Sequence, residues 1–563
     1  MQYIIKMSSD SFRQLRRFQV GALPLLGLIL QRLRLREILE EFIPSSGRQT
    51  VSTAEVLVLL AVNLTFAKDP LYELAQWVDS LDLRALGYRQ RPAVRFTDDR
   101  FARALDALYA ADRTSLLTRL AVSAIEAFAV QCATLHNDST SVKAFGRIPG
   151  RTRTGLELRF GHSKDHRPDL KQLVYSLSLS EDGAVPIHHH VYPGNRNDET
   201  THIETWDALS RIHGTADFLY VADCKLCTHK QLAHIVEHGG KALTVLPENF
   251  LEARRFKDQL RAGSRPKKLL WRRPTPNDES RTESFYLFAG NYQTDLAGYP
   301  LYWFLSSEKR RRDQHSRQER LAAAEAELKE LAPKLNAYHL KQKADILRAV
   351  HDILKSHRLD GLLAVRLNTH LPRFRQRPRG RPGQKVHYRY RYQFSYSLHW
   401  SRDTQALRRE ARTDGVFPLL ATDPDITPKR VLQAWKFQPR LEKRFSQLKS
   451  VHWVAPLLFK KIERVEANLF VFFIALLLQS LLERLLRLRL AQSNASPLKL
   501  YPEDREAPHP TTSQLFKTFE GLSTYTITAN DRPTEEYHDQ LNPTHRAVLS
   551  LLHLNEAHFW NPP

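Results

Sequence analysis

ADFLYVADC (Ala216–Cys224), HKQLAHIVEHGG (His229–Gly240) and KALTVLP (Lys241–Pro247) decide the fold. The first is an apolar run closed by Asp223. The second has helical spacing and stops at two glycines, and the third is again apolar. Strand, helix and strand in so short a space predict a crossover between parallel strands. Upstream, THIETWDALSRIHG reads as a helix ended by Gly214. TLHNDSTSVKAFG (134–146), DLKQLVYSLSLSEDG (169–183) and AVPIHHHVYPGN (184–195) read as strands, the last two joined at Glu181-Asp182-Gly183.

Three hairpin-like strands, then helix, strand, helix, strand, is the order of an RNase H-like α/β core with a mixed sheet. We expect that core over 131–490, interrupted by an α/β insertion at about 250–425. In the insertion, Leu321 to Leu354 has helical spacing. The segment from Leu371 to Trp400 opens as a Pro/Gly/Arg-rich loop and becomes a strand with Tyr388, Tyr390 and Tyr392 on one face and Arg389 and Arg391 on the other. The core resumes at TDGVFPLLATDP (413–424). Pro439 fits the first turn of a helix, which separates the helix carrying Glu442 from one starting near Thr427-Pro428.

Residues 1–130 read as an all-helical domain. ALPLLGLILQRLRLREILEEFI (22–43) alternates apolar and charged positions at helical spacing, and Thr53 is the expected N-cap of the helix AEVLVLLAVNLTF. Such a unit serves either helix-turn-helix DNA contacts or dimerisation. Residues 491–563 read as a polar, peripheral tail.

Lys plus Arg number 84 against 61 for Asp plus Glu, a formal charge of +23 that favours a polyanionic partner. Three cysteines form no disulfide framework and suit a reducing cytoplasm. The start lacks the order of a signal peptide. Leu469 to Leu482 is shorter than the ~20 apolar residues of a membrane span and reads as a buried core helix. His188-His189-His190 lies in a strand that sends alternate residues to opposite faces, and Cys224-Lys225-Leu226-Cys227 lacks two further zinc ligands.

Asp138 and Asp223 each close an apolar run, and Glu442 lies on a late helix. Three carboxylates are the donor set of two Mg²⁺ ions, with Mn²⁺ as the alternative, on nucleic-acid phosphates. Seven residues on, Lys449 points the same way as Glu442 and suits a phosphate. Trp435 suits either base stacking or the core.

With these residues the chain resembles bacterial insertion-sequence transposases with a DDE core, in the group marked by a Tyr–Arg–Glu–Lys signature. The matches are NDSTSV around Asp138, GHSKDHRPDLKQ (161–172), PGNRND (193–198), VAD at Asp223, DGVFPLLATDP and LEKRFSQLKS (441–450). The N-terminal helices resemble the domain often fused to that core. Trp435 stands where the group has Tyr, and Gln438 where it has Arg, with Arg440 two residues off register. The resemblance implies Asp138, Asp223 and Glu442 as the catalytic and metal-binding triad. It also implies DNA contacts from Lys449, Arg440, Trp435, Arg389 and Arg391, and cut-and-paste transposition. Double-stranded DNA, as terminal inverted repeats and target, would be the partner of a cytoplasmic homodimer with no membrane association. The rival readings are an inactive transposase-derived DNA-binding protein and an RNase H-like nuclease without strand transfer.

Overall fold

Near the N-terminus, Gln2–Ile5 (β1) pairs antiparallel with Arg13–Gln19 (β2). The helices that follow are Leu23–Leu33 (α1), Leu35–Phe42 (α2), Thr53–Thr65 (α3), Leu74–Ser80 (α4), Asp98–Ala110 (α5) and Arg113–Phe128 (α6). The cap of α3 is Ser52 rather than the expected Thr53. Its hydroxyl accepts from the N–H of Glu55 while the Glu55 carboxylate accepts from the N–H of Ser52, a reciprocal pair that Thr53, already helical, cannot make.

The strands Thr134–Lys143 (β3), Gln172–Ser180 (β4) and Pro186–Pro193 (β5) come next. After them run His202–His213 (α7), Leu219–Val221 (β6), His229–Glu237 (α8) and Lys241–Val245 (β7). Their order across the sheet is β5-β4-β3-β6-β7. The β5/β4 and β4/β3 pairs are antiparallel, while β3/β6 and β6/β7 are parallel. β4 is buried along its whole length. Its alternate serines are tolerated there because Asn137 on β3 donates to the hydroxyls of Ser176 and Ser178, both at 3.0 Å. Gly183, at φ 83°, turns the chain from β4 into β5, and Gly214, at φ 80°, ends α7 as its position suggested.

The computed structural model describes residues 2–5, 13–45, 50–88, 96–143, 150–161, 169–196, 200–263, 265–275, 278–376, 389–450, 461–493, 496–501, 503–529 and 532–561. It is mixed α/β and divides into two units, Met1–Thr244 with Leu432–Pro563, and Val245–Val431.

The second unit contains Leu251–Ala262 (α9), Lys267–Thr275 (β8), Asp278–Phe288 (β9), Tyr292–Gln293 (β10), Pro300–Ser306 (β11), Ser307–Leu331 (α10) and Lys343–Ser356 (α11). Leu363–His370 (β12), Arg373–Gln376 (β13), Arg389–Tyr392 (β14), Ser395–Arg402 (β15), Thr404–Glu410 (α12) and Val416–Ala421 (β16) complete it. Strands β16, β11, β9 and β8 lie side by side, antiparallel. Asp414 is held by both terminal nitrogens of Arg317 at 2.6 Å, a buried bidentate pair.

Pro428–Trp435 (α13) and Pro439–Ser450 (α14) begin at the two prolines, as their fixed φ and missing N–H favour. Ile462–Gln492 (α15) is buried on every side from Ala467 to Leu486, packing on α1, α3, α5, α14 and β5. By length and composition it could cross a membrane, but its most apolar window is wholly buried.

The C-terminal residues correct the sequence reading of a peripheral tail. Leu498–Lys499 (β17) pairs with Glu506–Ala507 (β18), and Thr512–Thr518 (α16) packs on α15. Ser523–Ala529 (β19) pairs with both β2 and Arg532–His538 (β20), ahead of Pro543–Leu551 (α17) and Glu556–Trp560 (α18). Leu515, Phe519, Val548 and Phe559 are fully buried. The segment is polar on average because its apolar residues are spaced to fill one side of short elements.

Candidate functional site

Thr134, Leu135 and His136 of β3 pair with Leu219, Tyr220 and Val221 of β6. Two residues beyond His136 and Val221 stand Asp138, still on β3, and Asp223, just past the end of β6. Parallel neighbours lie ~4.8 Å apart, so the register delivers the two carboxylates side by side. The Asp138 Oδ1 accepts from the N–H of Ser139 at 2.7 Å. Asp223 caps a 3₁₀ turn over Cys224–Leu226, accepting from the N–H of Lys225 at 3.0 Å. Its carbonyl accepts from the Thr244 hydroxyl on β7 at 2.6 Å. The Asp223 side chain remains 41% exposed, open to a ligand.

Two further groups complete the local setting, and neither was singled out from the sequence. The buried His202, at the start of α7, places Nε2 3.8 Å from Asp223 Oδ1. Its Nδ1 is 3.0 Å from the Tyr220 hydroxyl. Burial pushes that hydroxyl's pKa well above the usual value, and Tyr192, Asp223 and Asp138 push it the same way. Both aspartates are thus electrostatic neighbours of one phenol. Tyr220 was visible in the sequence as a polar tip inside an apolar run. His202 reaches the site only through the packing of α7, which no local pattern signals.

On the far side of β3, the Phe437 ring between α13 and α14 stacks on His136, with centroids 4.5 Å apart. Side chains two apart on a strand share a face, so Asp138 lies on the face that α14 covers. α14 turns Leu441, Arg444, Phe445 and Leu448 inward. Arg444 is buried against Glu483 of α15 at 3.1 Å, and its Nε donates to the carbonyl of Ala184 at 3.3 Å. The Glu483 Oε1 in turn accepts from the N–H and hydroxyl of Thr512. Burial alone would raise the Glu483 carboxyl, but Arg444 and Arg487 hold it below the usual value.

Glu442 is exposed on the edge of α14. Among the described residues no three His, Cys, Asp or Glu side chains stand close enough to hold a metal ion, so the expected three-carboxylate set is not assembled. The reason lies in the helix: the buried stripe holds α14 down, and Glu442 sits beside that stripe rather than in it. Asp138 and Asp223 are the part of the set that the sheet itself brings together. As a pair of oxygen donors they suit a hard divalent ion, with room for other ligands.

The expected DNA contacts are distributed differently. Arg440 lies about 160° round α14 from Glu442. Its guanidinium sits 5.4 Å from the Phe437 ring centroid and has Arg487, Glu483 and Glu181 as charge neighbours. It therefore faces away from the edge that bears Glu442. Trp435 ends α13 half-buried. Arg391 is exposed on β14 in the second unit, opposite Phe374. The side chains of Lys449 and Arg389, Tyr388, and most of GHSKDHRPDLKQ and of PGNRND's latter half lie outside the described residues. The three cysteines are free thiols.

Residues 16–122 match a protein family described as a domain of unknown function, DUF4277. No curated protein matches. Among solved structures there is a likeness to a piggyBac transposase, determined by cryo-EM as a synaptic complex with hairpin DNA. It has a TM-score of 0.27 and 13% identity, over 50% of this chain and 60% of that one. The chain thus spans less than two thirds of that transposase.

Proposed function

We propose that this chain is a DDE-type transposase with an RNase H-like core, acting on the ends of its own DNA element by strand cleavage and strand transfer. The observation that carries this reading is the juxtaposition of Asp138 and Asp223 at neighbouring parallel strands, with Tyr220 as their shared neighbour. The strand order, antiparallel hairpins leading into a parallel crossover, supports it, as do the motifs around each aspartate and the charge of +23.

Asp138 and Asp223 would hold a divalent cation, Mg²⁺ or Mn²⁺, and Glu442, exposed on α14, would complete a second site. So held, two such ions supply an activated water or 3′-hydroxyl and offset charge on the attacking and leaving oxygens. The chain's own part is to fix the carboxylates. Lys225 N–H and Thr244 orient Asp223, Ser139 N–H orients Asp138, and His202 Nε2 stands 3.8 Å from Asp223 Oδ1, the oxygen that Lys225 also holds. Lys449, Arg389 and Arg391 would contact phosphate backbone, and Trp435 a base. A homodimer would hold both element ends.

Duplex DNA carrying the element's ends, incubated with purified protein and Mg²⁺, should be nicked and joined to target. Asp138→Asn and Asp223→Asn should each abolish nicking and leave DNA binding intact. Nicking that survives in either variant overturns the assignment. Nicking without joined product would assign a nuclease instead. The exposed position of Glu442 favours one second reading, a DNA-binding protein that has lost catalysis. Binding to the ends with no nicking at any Mg²⁺ or Mn²⁺ concentration would establish that reading.

A further inference from the structure

β5 is the outer strand of its sheet, and a cleft of about 1030 Å³ opens round it. One wall is α7 with Glu204 and Arg211, and the other is α6 and α15 with Arg113 and Glu466. Arg151 and Arg196 reach in from loops.

The charges do not cancel. Arg113 pairs with Glu466 at 2.9 Å and Arg196 with Glu204 at 3.2 Å. Asp112 is used by the start of α6, where it accepts from the N–H and hydroxyl of Ser115. Among the described residues Arg151 and Arg211 have no carboxylate partner, so two guanidinium groups face the cleft uncompensated.

A second observation is independent of charge. His188 and His189 line the same cleft, are 8% and 7% exposed, and leave His188 Nδ1 and both ring nitrogens of His189 without a hydrogen-bond partner. Buried polar atoms are rarely left unsatisfied, and those that are point to a missing partner. No metal cluster explains them among the described residues. Finally, Tyr192 lines the cleft and is an electrostatic neighbour of Tyr220, which in turn neighbours both aspartates.

We propose that this cleft holds a phosphodiester segment of the DNA strand whose reacting end lies at Asp138 and Asp223, with Arg151 and Arg211 on its phosphates. The identity of the strand rests on the proposed function, whereas the phosphate chemistry of the cleft does not. A free nucleotide offers the same chemistry, and the test separates the two sources.

Full-length protein in EDTA, where no cleavage occurs, is titrated with a fluorescent duplex bearing an element end over a range of NaCl. Arg151→Gln with Arg211→Gln should flatten the slope of log K against log[salt] by about 2, roughly 0.9 per lost phosphate contact. Arg348→Gln, which removes an arginine 73% exposed on α11 of the second unit, should leave the slope within about 0.5 of the parent. Arg211→Lys should restore most of the affinity. Ala208→Trp, which narrows the cleft without changing charge, should weaken binding several-fold. Slopes in the double variant equal to those in Arg348→Gln overturn the proposal. So does dAMP binding that the double variant loses while duplex binding is unchanged, which would make the cleft a nucleotide site. Because binding is read in EDTA, a failure of the carboxylate chemistry shows separately, as absent nicking with the salt effect preserved.

Discussion

On the proposed function, His202 positions the aspartate pair. Its ring is buried, is tied to Tyr220 through Nδ1 and presents Nε2 to Asp223. We treat it as a positioning residue. His202→Gln should raise the Mg²⁺ concentration for half-maximal nicking by about 10–100-fold, the usual effect of losing a group that orients a metal-binding carboxylate. DNA affinity in EDTA should not change, and an unchanged Mg²⁺ requirement would reduce His202 to core filling. His188 and His189 carry a different consequence. Burial pushes His188 down to about 3 and His189 well below its ordinary 6.5, with His190 adding to both. The unfolded chain therefore takes up protons first as pH falls. Stability is full above about 6.5 and is lost progressively towards 3. Melting temperature should be lower at pH 5 than at pH 7.5. His189→Phe, set beside Phe470, Phe473 and Tyr175, should shrink that difference; an equal drop in the variant would show that His189 is not its source. At this scale the sequence was legible for the placement of Asp138 and Asp223, each at the close of an apolar run. It was silent where burial of a histidine set the chemistry.

α14 shows how far an element can be read from its residues. Pro439 fixed its start, and the seven-residue spacing put Glu442 and Lys449 within about 20° of one another. Which edge faces the core was not legible, because the buried stripe contains Arg444, a residue type that normally marks solvent. Only the partner 39 residues later, Glu483 on α15, makes that burial tolerable. Arg444→Met should accordingly cost about 3–5 kcal/mol in urea unfolding, the cost of leaving a buried charge without its partner. Thr512 and Arg487 still serve Glu483, which places the loss toward the lower end of that range. Arg444→Met combined with Glu483→Gln should recover part of the loss. A double variant no more stable than the single one would show that Arg444 acts through packing rather than through Glu483. The same helix explains why the third carboxylate could not be positioned from the sequence: spacing along α14 placed Glu442 relative to Lys449, but not relative to β3.

For the whole molecule, the strand and helix pattern of 134–245 was legible because each element carries its own period and its own stop. The interruption was legible as a change of composition, expected at about 250–425, and the second unit spans Val245–Val431. What local pattern could not carry was the return of the C-terminus to the N-terminal helices. STYTITA alternates too briefly to stand out, and its partner on β2 lies about five hundred residues away. The seam is nonetheless substantial. Leu522 accepts from the N–H groups of Val20 and Gly21, and Arg17 donates to the Ser523 hydroxyl at 2.9 Å. Thr524 donates to the buried Asp82 at 2.7 Å, and Arg489 of α15 donates to the carbonyl of Leu551 at 2.9 Å. A dispensable tail would tolerate removal with little change in melting. Truncation after Ser493 should instead expose the edge of β2, strip α16 and α17 from α15, and leave Asp82 and Glu483 without their threonine donors. Open strand edges and bared apolar helices associate, so the shortened chain should partition to the insoluble fraction or melt at least 10 °C lower. Soluble truncated protein that melts with the parent would restore the tail reading. The point variant Thr524→Val tests the same seam more gently, because it keeps β19 in place and removes only the Asp82 bond. A loss of about 1–2 kcal/mol, comparable to that of one hydrogen bond to a buried charge, is expected from urea unfolding.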